Sequence, residues 1–194
     1  MNDFTRRSLI YGTATLAAAG LLAGVQRIGL SAFAGDSDAE DDPGPVKIMK
    51  FADDGAPLGT LSVPKVRKRR AEWKKQLTPL QYEVTRRAAT EFAFSGPLHD
   101  QHAPGLYRCI DCNNALFESK SKFDSGTGWP SFWEPIAKEN VREKKHFSLG
   151  VLRTEVKCTL GDAHLGHVFT DGPAPTGLRY CMNSAALLFI PRKS

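Results

Sequence analysis

No internal repeat runs through the 194 residues, and no RNA- or DNA-reading motif accompanies the one dense basic stretch, Lys65-Val66-Arg67-Lys68-Arg69-Arg70. Those absences argue against a repeat array and against nucleic acid as a partner. Charge of one sign is also lacking. The formal net charge of +5 comes partly from Arg6, Arg7 and Arg27, and the remaining charges are interspersed, so the basic run reads as a solvated linker. Cysteine is sparse, with four in the chain: Cys109, Cys112, Cys158 and Cys181. A hydrophobic content of 41% against 24% charged fits one globular domain with appendages, long enough to bury a core without staples.

What is present begins at the N-terminus. Thr5-Arg6-Arg7-Ser8-Leu9-Ile10 sets paired arginines before an uncharged stretch, Ser8 to Val25, and Ala32-Phe33-Ala34 follows. A basic region, a weakly apolar region and a small-residue cleavage site make a secretory signal of twin-arginine type over 1–34. An uncleaved anchor is the alternative, and it would be the chain's one tie to a membrane. The protein is expected to be exported, to a periplasm. In that oxidising setting four cysteines invite two disulfides, in any of three connectivities.

Residues 35–71 read as a flexible acidic and basic extension, with an extended pair over Val46–Val63 around the turn Asp53-Asp54-Gly55. Trp73 to Ala89 reads as helical, with Thr78-Pro79 suited to an N-cap and first-turn proline. From Gly96 onward, short apolar runs alternate with turn residues every eight to twelve positions, the texture of antiparallel β structure. The strands expected are Gly105–Cys109, Ala115–Phe117, His146–Thr154, Val156–Leu160, His167–Thr170 and Tyr180–Ile190. The domain spans 72–193 and is mainly β.

Three segments carry chemistry. If Arg179 to Asn183 is extended, Arg179, Cys181 and Asn183 share one face, so the thiol has a guanidinium and a carboxamide beside it. Positive charge lowers a thiol pKa, and the thiolate is the nucleophile; a buried structural cysteine is the plainer alternative. In Ala163-His164-Leu165-Gly166-His167, two histidines three apart would face opposite sides of a regular strand. Gly166 permits a bulge that brings both imidazoles to one side, where they can donate protons or hold a metal. Asp171 can orient one of them or hold Arg179. In Phe123-Asp124-Ser125-Gly126-Thr127-Gly128-Trp129-Pro130, the glycines and proline shape a loop whose Trp129 can wall an apolar pocket or seal the core.

In order and spacing these runs resemble the methionine-R-sulfoxide reductases of the B type. So do Leu77-Thr78-Pro79-Leu80-Gln81-Tyr82, Thr90-Glu91, Phe94-Ser95-Gly96, Arg153-Thr154-Glu155-Val156 and Ser184-Ala185-Ala186-Leu187. The resemblance covers about Trp73 to Ile190. It implies a fold of two antiparallel sheets forming a twisted barrel or tent-like core with a few N-terminal helices. It also implies Cys181 as nucleophile, with His164, His167 and Asn183 handling the sulfoxide oxygen and its proton. Trp129 would hold the methyl group, and Asp171 and Arg179 would orient the site. Thiol-dependent reduction of the R epimer of methionine sulfoxide, chiefly in proteins, would pass through a Cys181 sulfenic acid, with a thioredoxin-like donor and a monomeric enzyme.

The chain departs from the family at two places. Thr127 stands where many members carry a resolving cysteine, so Cys109, Cys112, Cys158 or an external thiol would have to restore Cys181. Zinc-bearing members use two C-x-x-C pairs. Here Cys109 and Cys112 form one, while Cys158 is followed at the fourth position by Gly161. Zinc held by three thiolates with water or Asp162, and a disulfide among the three, both stand as readings. No cofactor is required for the chemistry. A zinc-ribbon-like binding module leaves Arg179, His164, His167 and Trp129 without a role. A Cys181–His167–Asp171 hydrolase lacks an evident oxyanion device.

Overall fold

The computed structural model describes residues 44–148 and 151–192. Residues 1–34, where a signal is expected, lie outside the described residues. The described chain opens with strands β1 (Val46–Phe51) and β2 (Pro57–Val63), paired antiparallel across the Asp53-Asp54-Gly55 turn as expected. Ala52 and Gly55 close that turn through a 3.0 Å backbone bond. The hairpin is fastened to the domain. Asn140 accepts from the Met49 amide and donates to the Met49 carbonyl, both at 2.8 Å, and Ile48 is buried.

The basic run is solvated over 67–70, as expected, but is anchored at its start. The Val66 amide donates to the Leu160 carbonyl at 2.9 Å, and the Lys65 ammonium, nearly buried, pairs with Asp162 at 2.6 Å. Helices α1 (Arg70–Gln76) and α2 (Pro79–Arg87) follow, two elements where one was expected. Pro79 drives the residue before it out of helical geometry, and Thr78 sits extended at ψ 160°. Thr78 and Gln81 then exchange side-chain and backbone bonds, a capping box that starts α2.

The β domain is antiparallel throughout, with few helices, in agreement with the mainly-β expectation. A three-stranded sheet runs β11-β3-β4 and a six-stranded sheet β5-β6-β10-β9-β8-β7. The strands are β3 (Gly105–Cys109), β4 (Ala115–Glu118), β5 (Lys122–Phe123), β6 (Ser131–Phe132), β7 (Val141–Ser148), β8 (Val151–Cys158), β9 (His164–Phe169), β10 (Arg179–Met182) and β11 (Leu187–Pro191). The sheets do not close into a barrel. The larger one ends in β7 and in β5, which pairs over two residues. The expected strand His146–Thr154 is in fact the tip of the β7–β8 hairpin, where Ser148 pairs Val151 across residues 149–150, which lie outside the described residues. In the sequence, Phe147, Leu149, Val151 and Leu152 keep up the apolar pattern and hide the reversal.

The expected strand Tyr180–Ile190 is also two strands. Ser184–Ala186 forms one 3-10 turn that carries the chain from the six-stranded to the three-stranded sheet. The core lies between those sheets. Phe117 of β4 stacks on Phe132 of β6 at 4.4 Å, and Tyr107 of β3 meets Phe132 edge-on at 4.9 Å. All three are fully buried, with Leu165 and Met182 beside them. Tyr180 and Met182 face this core, so Arg179 and Cys181 are turned to the opposite face of β10.

Candidate active site

Cys181 lies at the centre of the six-stranded sheet. Its cross-strand neighbours are Ser131 on β6 and His167 on β9, directly opposite on the same face. Close approach of β9 to β10 depends on Gly166, where a Cβ would stand 2.1 Å from the Cys181 carbonyl oxygen. Beside Gly166 the pairing with β8 slips, Val156 opposing Gly166 and Lys157 opposing His164, so Leu165 is an extra residue. This bulge does what the sequence anticipated: the His164 and His167 rings meet edge-on with centroids 5.4 Å apart.

The cleft around the thiol has a volume of about 280 Å3 and is lined by Thr90, Trp129, Arg153, His167, Phe169 and Asn183. Trp129 is fixed by its indole N–H, which donates to the Glu91 carbonyl at 3.2 Å. Asn183 is buried, accepting from the Glu91 amide and donating to the Leu165 carbonyl, each at 3.0 Å. His164 does not wall this cleft. It borders the neighbouring basic groove with Arg142, Lys144 and Lys157, and its Nδ1 lies 2.7 Å from Glu155 Oε1. This bond sets the orientation of the His164 ring.

Arg179 and Asp171 stand at the rim, not in the cleft wall. The guanidinium grips Asp171 with two bonds of 2.9 and 2.8 Å and lies over the Phe169 ring at 4.4 Å. Burial pushes the Cys181 thiol pKa up; Thr127, the Arg179 charge and Ser131 draw it down, but the net direction is up. Arg179 thus draws the thiol pKa down, as the sequence leads one to expect, but desolvation of the thiolate outweighs a partner already shared with a carboxylate.

The residues missed from sequence are hydroxyls and carboxylates. The Thr127 hydroxyl is 3.9 Å from Cys181 Sγ, and Ser125 joins Thr127 at 2.8 Å to Ser131 at 2.7 Å. The loop that brings them in bends through Gly126 and Gly128; at Gly128, φ is +86° and a Cβ would strike the Phe94 amide nitrogen at 2.6 Å. Glu91 carries no signal in the sequence beyond its place beside Thr90 in a motif. It is buried, and its carboxylate accepts from the Ser184 and Ala185 amides at 2.5 and 2.9 Å, holding the turn that follows Cys181. Glu155 is legible in the same limited way, as one letter of Arg153-Thr154-Glu155-Val156.

The other three cysteines assemble elsewhere. Cys109, Cys112 and Cys158 have sulfurs within 4.8 Å of one another, a group able to hold a metal ion. All four thiols are free, and none of these three walls the Cys181 cleft. Cys158, hydrogen-bonded by its neighbours, is pulled well below the ordinary thiol range, while Cys109 is pushed well above it.

A mainly-β scaffold presenting one cleft cysteine between an imidazole, an indole and a row of hydroxyls defines a thiol-based enzyme. The SelR domain profile matches residues 77–191, and the chain belongs to that family, the peptide methionine sulfoxide reductases of MsrB type. It is 54% identical to the peptide methionine sulfoxide reductase MsrB of Pseudomonas aeruginosa over 122 residues, 63% of this chain and 92% of the relative. Over 125 residues it is 56% identical to the MsrB of Herminiimonas arsenicoxydans, covering 64% and 91% of the two chains. The MsrB of Bradyrhizobium diazoefficiens is 53% identical over 128 residues, 66% of this chain and 92% of the relative.

Proposed function

We propose that this protein reduces the R epimer of methionine sulfoxide to methionine, chiefly in proteins, as a peptide-methionine (R)-S-oxide reductase. The observation that carries the reading is Cys181 at the base of a cleft that pairs an indole wall with an imidazole and a carboxamide. Trp129 and Phe169 suit the S-methyl group, because sulfur-bonded methyls favour aromatic faces. His167 and the second amide proton of Asn183 suit the sulfoxide oxygen. Three distinct groups around one sulfur select one epimer.

In the reaction the Cys181 thiolate attacks the sulfoxide sulfur while the oxygen takes up a proton, with His167, opposite Cys181 on β9, as the donor. Glu155 and His164 position His167 from behind. The oxygen ends on Cys181 as a sulfenic acid and the substrate leaves as a thioether, so sulfur is reduced by two electrons and the thiol oxidised by two. A raised resting pKa suits this order. The thiol stays protected until the hydroxyls of Thr127 and Ser131 turn to the developing anion and offset its desolvation.

Recycling falls to an external dithiol of the thioredoxin class. Thr127 stands beside Cys181 where a second thiol would be needed, and none of Cys109, Cys112 and Cys158 lines the cleft. The first donor thiol displaces water to form a mixed disulfide with Cys181, and the second releases it. Zinc at the three-cysteine cluster would take no part in the reduction, which needs no metal. The paired arginines at Arg6-Arg7 support twin-arginine export with residues 1–34 as the signal, 72–193 as the catalytic domain and a periplasmic repair role as a monomer. Both epimers of a methionine sulfoxide peptide, offered with dithiothreitol, test the reading. Loss of the R epimer alone, abolished in Cys181→Ser, is expected; turnover of neither by protein with a verified free thiol would sink it.

A further inference from the structure

The three-cysteine cluster is three corners of a tetrahedron. Zinc holds thiolates at about 2.3 Å, which sets neighbouring sulfurs about 3.8 Å apart. Cys112 and Cys158 are 3.5 Å apart, and the three sulfurs all lie within 4.8 Å of one another, so a zinc ion fits with small side-chain shifts. Gly161 is the fourth corner. A Cβ built on it would stand 3.1 Å from Cys112 Sγ, so the backbone already faces the cluster and lacks only the ligand atom. Asp162, the next residue, does not substitute. Its carboxylate is taken by Lys65 at 2.6 Å and by Arg142.

Asp111 supplies a second, independent observation. It sits inside the Cys109–Cys112 turn with its side chain fully buried, and Oδ2 accepts from Arg86 at 3.1 Å. The same Arg86 nitrogen donates to the Gly161 carbonyl at 2.7 Å, so one guanidinium ties the carboxylate to the empty corner. The Asp111 Cβ is 3.9 Å from the Cβ position at Gly161. Asp111 Oδ1 is buried and receives no hydrogen bond. The neighbouring Thr85 hydroxyl does not reach it within hydrogen-bond geometry, because it donates to the Gln81 carbonyl at 2.8 Å. A buried carboxylate oxygen without a donor is a costly arrangement, and it marks a place where a donor belongs.

We propose that this chain holds zinc through Cys109, Cys112 and Cys158 with an open fourth position, occupied by a water that donates to Asp111 Oδ1. Three protein ligands and one exchangeable position are the coordination of a reactive zinc rather than a closed structural one. Asp111 is then the positioning residue for the fourth ligand, and the site admits small anionic or imidazole-type ligands that a four-thiolate site refuses.

The test uses the full chain, reduced and reconstituted with Zn(II) or Co(II). X-ray absorption at the zinc edge should find three sulfur neighbours and one light atom. Added imidazole or cyanide should change the visible spectrum of the Co(II) protein. Asp111→Asn should hasten zinc release to a chromophoric chelator by about tenfold or more, the usual scale for loss of an outer-shell partner. Gly161→Cys should give four sulfurs, slow that release and make the Co(II) spectrum indifferent to imidazole. Failure of the reduced wild-type chain to bind one zinc would overturn the proposal. So would a spectrum unmoved by imidazole or cyanide, or a release rate in Asp111→Asn equal to wild type. The first two measurements need no variant, so a misfolded Gly161→Cys leaves the outcome decided.

Discussion

At the residue scale, Cys181 is governed by a contest between burial and polar neighbours. Burial raises its pKa, and Thr127, Arg179 and Ser131 pull the other way without winning. Because the thiolate reacts, alkylation by iodoacetamide should speed up as pH rises and should level off only above the ordinary thiol range. Replacing Arg179 by Met leaves burial less opposed and moves that profile to still higher pH. A profile displaced upward by about one pH unit means alkylation about tenfold slower at neutral pH; an unmoved profile would show that Asp171 already cancels the guanidinium. Thr127 is the other informative residue. With its hydroxyl 3.9 Å from Cys181 Sγ, Thr127→Cys should place a resolving thiol in reach. One turnover without donor should then consume two free thiols and yield an intramolecular disulfide, read by thiol titration and peptide mapping, where the wild type ends at a sulfenic acid trapped by dimedone.

At the scale of elements, the site is an arrangement of β9 and β10 held from outside the sheet. β10 ends at Met182, and the chain must turn at once through Ser184–Ala186 to reach β11. Glu91, from the loop after α2, accepts two amides of that turn, and its backbone engages Asn183 and Trp129. Glu91→Ala strands two buried donors. It should cost about 2–4 kcal/mol at about 1–2 kcal/mol for each orphaned group, read as a lower denaturation midpoint. Turnover should fall as well, because the Glu91 backbone that holds Trp129 and Asn183 is no longer pinned by its carboxylate. A pattern reading finds strands by alternation and could not see this brace, since a single glutamate in a loop has no periodicity. The same limit explains the merged strand Tyr180–Ile190: a three-residue turn leaves the apolar pattern unbroken.

For the whole molecule, the N-terminal hairpin shows how distant segments are joined. Asn140, fully buried, bonds both backbone groups of Met49 and the Ala115 carbonyl at 2.8 Å, and Arg108 reaches the Phe51 carbonyl and Asp53 at 2.9 Å. Asn140→Ala should free the hairpin, raising hydrogen exchange and protease cutting over 46–63, while the Cys181 cleft keeps its reactivity. Equal protection in the variant would mean that Arg108 alone suffices. Among the described residues no helix is long and apolar enough to cross a membrane. By itself the sequence determined what local chemistry encodes: the Thr78-Pro79 helix start, the Asp53-Asp54-Gly55 turn, the mainly-β texture, the face shared by Arg179 and Cys181, and the Gly166 bulge joining two histidines. Each rests on neighbours in the chain. Tertiary structure decided the rest. It determined that burial outweighs Arg179 at the thiol, that Ser125 and Ser131 stand by it, that Glu91 braces it, and that Asp111 faces the corner Gly161 leaves open. Those outcomes depend on solvent exclusion and on groups brought together across dozens of residues, quantities that no local spacing records.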